Sequence, residues 1–407
     1  MKTMSKLPLV LLMVGCVLMF CVGSGLISAS ENDSDVSSPI FEDPNYSFEE
    51  RAADLVARLT PMQKGSQLIS EGSAAIPADQ LGGGALNVPA NMGISTYYWW
   101  NEALHGYARG SGSSNSVSYP QNLSVANTWN LDLYYKQASV ISDEIRERTR
   151  KVEAGPNAGN GLDLTFYSPT INMQRDPRWG RNEEAYSEDP LLMAAMASQF
   201  ILGMEGKNSD GTPIDEMGRL KTVTTIKHYT ANNSERNRLD GGADVDLRAL
   251  REYYTAPYRD VIKATDVASL MTAYSTLNGE PCSSSSYLLD TLLRQTWGFS
   301  GYITSDCDSV STIVRHQYVN PYTGEVLTPV EQFAQALAHG VDLECSGGHN
   351  NNLGNYASRI SAMLAEAPAT DKGVFTEHQM DVSLHRLFTA RMKLGEFDQD
   401  VPFTGEA

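Results

Sequence analysis

Nothing in this sequence limits the fold more than an alternation along its middle. Short β-prone runs, "LDLTFYSPTINM", "TVTTIKHYT", "VASLMTAYSTLNG" and "GYITSDCDSV", each give way to a polar or glycine-rich stretch and then to a segment of helical period. A fifth run, "ALAHGVDLECSGG", places a strand near Val341-Asp342-Leu343. The intervening "DLRALREYYTAPYRDVIKA" and "SSYLLDTLLRQTWGF" are helical by period and length. Strand and helix in alternation imply a parallel sheet with helical crossovers. So many units in 407 residues favour an α/β fold of the closed (β/α)8 TIM type over an open doubly wound sheet. No G-x-G-x-x-G or Walker sequence follows any strand, so no nucleotide cofactor is expected. Upstream, "SFEERAADLVARLTPMQKGSQL" reads as an amphipathic helix. Leu55, Val56, Leu59 and Met62 share one face, and Ser47 with Glu50 makes a capping-box pattern.

The chain ends read differently. Lys2 and Lys6 precede the apolar "LPLVLLMVGCVLMFCVGSGLISAS", the pattern of a secretory signal over residues 1–29. The run is long for a signal, so an uncleaved anchor is the alternative. Residues 30–47 are expected to be a flexible lead-in, 48–395 the barrel, and 396–407 the start of a linker. The expected location is therefore extracellular, or periplasmic in a bacterial host, with no membrane contact once the signal is removed. A net charge of −18, from 31 basic and 49 acidic residues, argues against nucleic acid as a partner. Cys282, Cys307 and Cys345 follow the leader, an odd number that leaves a thiol without an internal partner. No C-x-x-C or paired-histidine spacing points to a metal. Sequons occur at Asn32, Asn45, Asn122 and Asn232, of consequence only in a eukaryotic host.

In a barrel of this kind the polar residues at strand C-termini face the active site. Here they are Arg175, Asp176, Arg178, Arg181, Lys227, His228, Tyr274, Asn278, Asp306, Asp308, Asp342 and Glu344. Lys227 and His228 are either a donor pair for substrate hydroxyls or a solvated lysine beside a core histidine. The loop "QRDPRWGRNEEAYSEDP" either braces itself with salt bridges or sends a guanidinium into the pocket. In "YYWWNEALHGYARG", tryptophan faces can stack on sugar C–H surfaces while Glu102 accepts from hydroxyls, although one of Trp99 and Trp100 is expected in the core. A carboxylate at Asp306, held by a lysine, a histidine and an arginine, is expected to have a lowered pKa and to be able to attack an anomeric carbon. Asp308 reads better as the cap of the next helix, "SVSTIVRHQ".

Together these stretches resemble family 3 glycoside hydrolases, most closely the β-xylosidase branch. The matching phrases are "WWNEALHG", "SPTINMQRDPRWGRNEEAYSEDP", "KHYTANN", "MTAYSTLNGEPC", "LLRQTWGFSGYITSDC" and "GVDLEC". They stand in the order of that family's N-terminal barrel, from about residue 45 to the end. The resemblance implies a retaining mechanism with Asp306 as nucleophile. It implies substrate-binding roles for Glu102, Arg181, Lys227, His228, Arg238, Met271 and Tyr274, with the glutamate and its flanking tryptophans favouring a pentose. The implied reaction is that of a xylan 1,4-β-xylosidase, an exo-acting enzyme removing xylose from xylo-oligosaccharides. A β-glucosidase or α-arabinofuranosidase of the same family, or a non-catalytic sugar-binding protein, is the alternative. The resemblance also implies a disulfide between Cys282 and Cys307. Two departures stand out. "NNSERNR" differs from the residues usual after the Lys-His pair, which weakens the transfer to Arg238. Full-length relatives carry a second α/β sandwich domain that supplies the acid/base, and the phrase "RLFTARMKLGEFDQDVPFTGEA" resembles the end of the barrel. A partner chain carrying that domain is one expectation; Glu183, Glu184 and Glu344 are the candidate acids within the sequence.

Overall fold

The computed structural model describes residues 39–73, 93–109, 113–153, 163–315, 324–327, 329–345, 376–398 and 403. The leader expected at residues 1–29 lies outside them. The chain enters through Phe41, which is fully buried, and then a helix, Phe48–Ala57. Its capping box is formed as expected: Ser47 Oγ accepts from the Glu50 N–H, and the Glu50 carboxylate accepts from the Ser47 N–H. Leu55, Val56 and Leu59 are buried, but Met62 is 54% exposed. The helix stops at Ala57 and Thr60 caps a second one that begins at Pro61, so the periodicity does not carry across to Met62.

The central sheet has four strands, β3 (Thr165–Phe166), β4 (Val223–Tyr229), β6 (Ser269–Thr272) and β9 (Tyr302–Thr304), in the order β3-β4-β6-β9. All its pairings are parallel, with Phe166 beside Thr224, Ile226 beside Leu270 and Met271 beside Thr304. Every residue of β4, β6 and β9 is buried, as expected of parallel strands covered on both faces. Pairing continues at both edges through single bridges. Thr304 pairs with Leu343, Ile69 with Glu344, and Asn101 with Phe166, all parallel. Before them, β1 (Glu71–Ser73) and β2 (Tyr97–Tyr98) pair antiparallel, which departs from an all-parallel arrangement. A separate small sheet contains β5 (Gly242–Ala243), β7 (Thr276–Leu277) and β8 (Glu280–Pro281).

Helices cover the sheet. The helix Pro190–Glu205 is capped by Asp189, which accepts from the Leu191 and Leu192 N–H groups, and has proline at its first position. It ends at Gly206, whose φ of 72° suits a residue without Cβ; an added Cβ would lie 2.8 Å from the Lys221 side chain. The crossovers expected before β6 and β9 are present as Ala256–Thr265 and Tyr287–Thr296, the second wound as a π-helix. Asp342, expected at the mouth, is instead fully buried in an ion network. Its carboxylate accepts from Arg294, Arg386 and the Ile303 N–H, so it anchors β9.

Both expected flanking segments are pinned at the residues described. The buried Arg51 guanidinium donates to the Phe41 carbonyl at 2.9 Å, to Asp398 at 2.8 Å and to the Phe397 carbonyl at 3.3 Å. Asn122 and Asn232 are buried, which removes both as glycan acceptors in the folded protein; Asn45 is exposed.

Candidate active site

Strand β9 delivers Asp306 to its C-terminal end, where the side chain is 7% exposed. Oδ1 accepts from the Cys307 N–H at 2.8 Å. Oδ2 is buried and accepts no hydrogen bond among the described residues. Burial pushes the Asp306 carboxyl up to about 6, against the opposing pull of the Cys307 N–H and of Arg181, Lys227 and Arg238. The sequence reading expected the reverse. Three cations are in range, but desolvation of the carboxylate outweighs them. Asp308, expected as a helix cap, stands just before the helix Ser309–Arg315 with a φ of 62°.

The end of β4 contributes Lys227 and His228, both buried. Lys227 Nζ donates to both oxygens of Glu102, at 3.1 and 3.2 Å. His228 Nε2 lies 3.8 Å from Asp306 Oδ2. Its pKa is well below the usual value, first because it is buried and then because Arg181, Lys227 and Arg238 surround it. The contact with Asp306 is therefore not an ion pair. Arg181 NH1 lies 3.2 Å from His228 Nε2, and since an arginine only donates, this histidine nitrogen accepts. His228 is thus not the donor that the sequence reading envisaged at this face.

Arg181 is also held by Glu184 in a two-pronged pair at 2.7 and 2.6 Å. Burial disfavours both charges, yet the pairing holds the Glu184 carboxyl below its usual range and the Arg181 guanidinium above its own. Glu184 is therefore an ionised brace and not a proton donor. Glu183 is exposed and Glu344 is buried with its backbone in the pairing to Leu68 and Ser70.

Tyr274 and Arg238 close the other side. The Tyr274 hydroxyl donates to the Cys307 carbonyl at 2.6 Å, and burial first, then Asp306, raises its pKa. The Arg238 guanidinium lies over the Tyr274 ring at 5.2 Å. Met271 is buried on β6, paired in register with Thr304. Cys307 is joined to Cys345, which corrects the expected Cys282–Cys307 pairing. Cys282 is free and fully buried, its sulfur against the Thr230 carbonyl, whereas Cys345 sits in the segment bridged to the end of β9.

Two residues at the site were not singled out in the sequence. Asn172 receives and donates hydrogen bonds at His228. Glu235 accepts from Trp179 Nε1 and from Arg238 NH1, both at 3.1 Å, tying the "WGR" loop to the cation above Tyr274. The only signal for either was a polar residue inside a phrase already rich in site candidates.

A cavity of about 270 Å3 opens beside this cluster, lined by Glu102, His105, Arg181, Glu184 and Lys227 among others. Asp306 and His228 are not among its lining residues, although His228 meets Arg181, which is. Trp99 is in the core, as expected of one tryptophan; Trp100 is half-buried, donates toward Glu102 at 3.4 Å, and has the Arg109 guanidinium 3.4 Å from its ring centre. Asp176 and Arg178 pair with each other at the surface, Arg175 lies over Tyr254, and the Asn278 amide brackets the Val245 backbone, so none of these is brought to the cluster.

The chain matches the family model described as the glycosyl hydrolase family 3 N-terminal domain over residues 90–390. It is 32% identical to β-D-xylosidase 1 of Arabidopsis thaliana, over 87% of this chain and 41% of that protein. It is 32% identical to a xylan 1,4-β-xylosidase of Xylanibacter ruminicola, over 94% of this chain and 39% of that protein. Among solved structures, a GH3 exo-β-xylosidase complexed with a xylobiose aziridine probe superposes with a TM-score of 0.70 at 25% identity, over 90% of this chain and 44% of that one. A β-glucosidase of Kluyveromyces marxianus shares the fold, with a TM-score of 0.61 at 24% identity, over 84% of this chain and 34% of that one. The chain spans less than half the length of each of these proteins.

Proposed function

The chain belongs to glycosyl hydrolase family 3, and on that premise we propose that it is the nucleophile-bearing part of a retaining exo-β-glycosidase acting on xylo-oligosaccharides. The observation that carries this reading is Asp306, a buried carboxylate at a strand end with one oxygen that accepts no hydrogen bond among the described residues. In the reaction, Asp306 Oδ2 bonds to the anomeric carbon as the glycosidic C–O bond breaks, and water later hydrolyses the glycosyl ester. Lys227, Glu102, Arg181, Arg238, Met271 and Tyr274 would surround the sugar. Of these, Glu102, Arg181 and Lys227 also line the neighbouring cavity. Xylose is preferred over glucose or arabinose because the similar xylosidases carry that name; the fold itself is shared with β-glucosidases.

The sheet we read as part of a closed barrel, with the Leu343–Glu344 segment linking β9 to Ile69, and Asn101 linking β2 to β3. The antiparallel β1–β2 pair makes it a variant of the (β/α)8 form. We place the general acid outside the described residues, in a second domain or a partner chain, because Glu184 is committed to Arg181 and Glu183 is exposed. The leader pattern supports action outside the cytoplasm.

The test is intact mass after incubation with 2,4-dinitrophenyl 2-deoxy-2-fluoro-β-xyloside. The phenolate leaves without protonation, so no acid is needed. An adduct mapping to Asp306 is expected; folded protein that forms none refutes the assignment. On xylobiose, the chain alone should turn over about 10²–10⁴-fold more slowly than with an acid supplied.

A further inference from the structure

We infer that Asn172 is a positioning residue that holds His228 in its Nδ1–H form, so that the other ring nitrogen presents a lone pair and not a proton toward Asp306. This rests on the reading of Asp306 as nucleophile. Asn172 is buried, and its amide is oriented by the backbone of His228. Its Nδ2 donates to the His228 carbonyl at 2.8 Å and to the Tyr258 hydroxyl at 3.3 Å. Its Oδ1 accepts from the His228 N–H at 2.8 Å. A flipped amide would set oxygen against carbonyl and nitrogen against N–H, so the orientation is determined. The same Oδ1 lies 3.0 Å from His228 Nδ1, which must therefore carry hydrogen. On the far side of the ring, Nε2 faces Arg181 NH1 at 3.2 Å, a group that only donates. Both nitrogens are thereby assigned by independent neighbours.

The charges around the ring point the same way. Arg181 from the "WGR" loop, Lys227 from the same strand and Arg238 from the loop beyond it all oppose a second proton. Asp306, just beyond β9, is the one carboxylate in contact among the described residues, at 3.8 Å. Glu102 and Glu184 are paired with Lys227 and Arg181. Tyr258 meets Asn172, and Tyr274 gives its proton to the Cys307 carbonyl. An imidazolium here would donate to Asp306 Oδ2 and tie down the oxygen that must attack. A neutral ring with its lone pair forward leaves Oδ2 with no hydrogen bond among the described residues, as found. The Nε2 lone pair is already met by Arg181 NH1, so Oδ2 is the acceptor left for a donor, a role open to a hydroxyl of the bound sugar.

The test has two readouts. In full-length protein labelled with ring-15N histidine, His228 is assigned by its loss in the His228→Gln variant. Protonated Nδ1 and bare Nε2 are expected at pH 7; an Nε2–H form, or an imidazolium at that pH, overturns the inference without reference to activity. In Asn172→Asp, a carboxylate against Nδ1–H favours the imidazolium, which lies close enough to Asp306 to lower its pKa by about one unit or more. The acid limb of inactivation by the fluoroxyloside should move down by that amount. A variant that inactivates more slowly with an unmoved limb has lost structure only, and the inference fails. If wild-type protein forms no adduct at Asp306, the nucleophile reading fails, while the nitrogen spectra still decide the form of His228.

Discussion

Replacing Asp306 by asparagine should abolish adduct formation and make the protein more stable. The carboxyl is raised from 3.8 to about 6 by burial. An unfolded chain gives up this proton near 3.8, and the folded protein only near 6. Between those values the folded state binds more protons, so this group makes stability fall as pH rises, and the loss is complete above pH 6. The difference is about 2 pH units, each equivalent to about 1.4 kcal/mol, or about 3 kcal/mol in all. Asparagine carries no charge to desolvate and keeps an oxygen for the Cys307 N–H. Urea unfolding of both proteins at pH 4 and pH 8 measures it. The two should differ little at pH 4, and the variant should be more stable by about 3 kcal/mol at pH 8. The other titrating groups are common to both proteins, so the difference isolates this one. Equal stabilities at pH 8, or a gap that does not change with pH, would refute the argument that desolvation governs Asp306.

Two further outcomes follow from neighbouring contacts. Glu235→Gln keeps an acceptor for Trp179 but removes the charge that holds Arg238 over Tyr274; inactivation by the fluoroxyloside should weaken by about tenfold, equivalent to about 1.4 kcal/mol, mainly in the concentration dependence. Reduction of Cys307–Cys345, or Cys345→Ser, opens a link spanning 38 residues. By the chain-entropy relation this should lower the unfolding free energy by about 3–4 kcal/mol, measured in urea with and without reductant.

The strands β4, β6 and β9 and the crossovers between them were legible because continuous apolar runs and helical periods are local signals. So was the gathering of Lys227, His228, Arg181 and Asp306, since strand ends in a parallel sheet share one side. Quantities set by the three-dimensional surroundings were not legible. The sign of the Asp306 shift depends on how completely the site excludes water, which a count of nearby cations does not reveal. Cys345 was passed over for Cys282 because the bridge from Leu343 to Thr304 is a tertiary fact. Asn122 and Asn232 match a surface sequon but are buried, one bonded to Tyr134 and to the Glu184 carbonyl. Asp342 is expected at the mouth as a polar residue at the end of the Val341-Asp342-Leu343 strand, yet its two arginine partners, Arg294 and Arg386, come from distant helices.

The Arg51 guanidinium has a bearing on where a self-sufficient piece of this protein can be cut. It sits in the interior and relies on Phe41 before it and on Phe397 and Asp398 far beyond it. Asp398 also meets Arg219. A version shortened to Glu396 would retain every described strand and every candidate site residue, yet it would leave a buried cation facing emptied positions, a change that typically costs several kcal/mol. The contacts of the buried Arg51 therefore reach past the helix Glu377–Lys393 to Asp398, so that end of the described chain is tied back to Phe41 and cannot be trimmed without disturbing both.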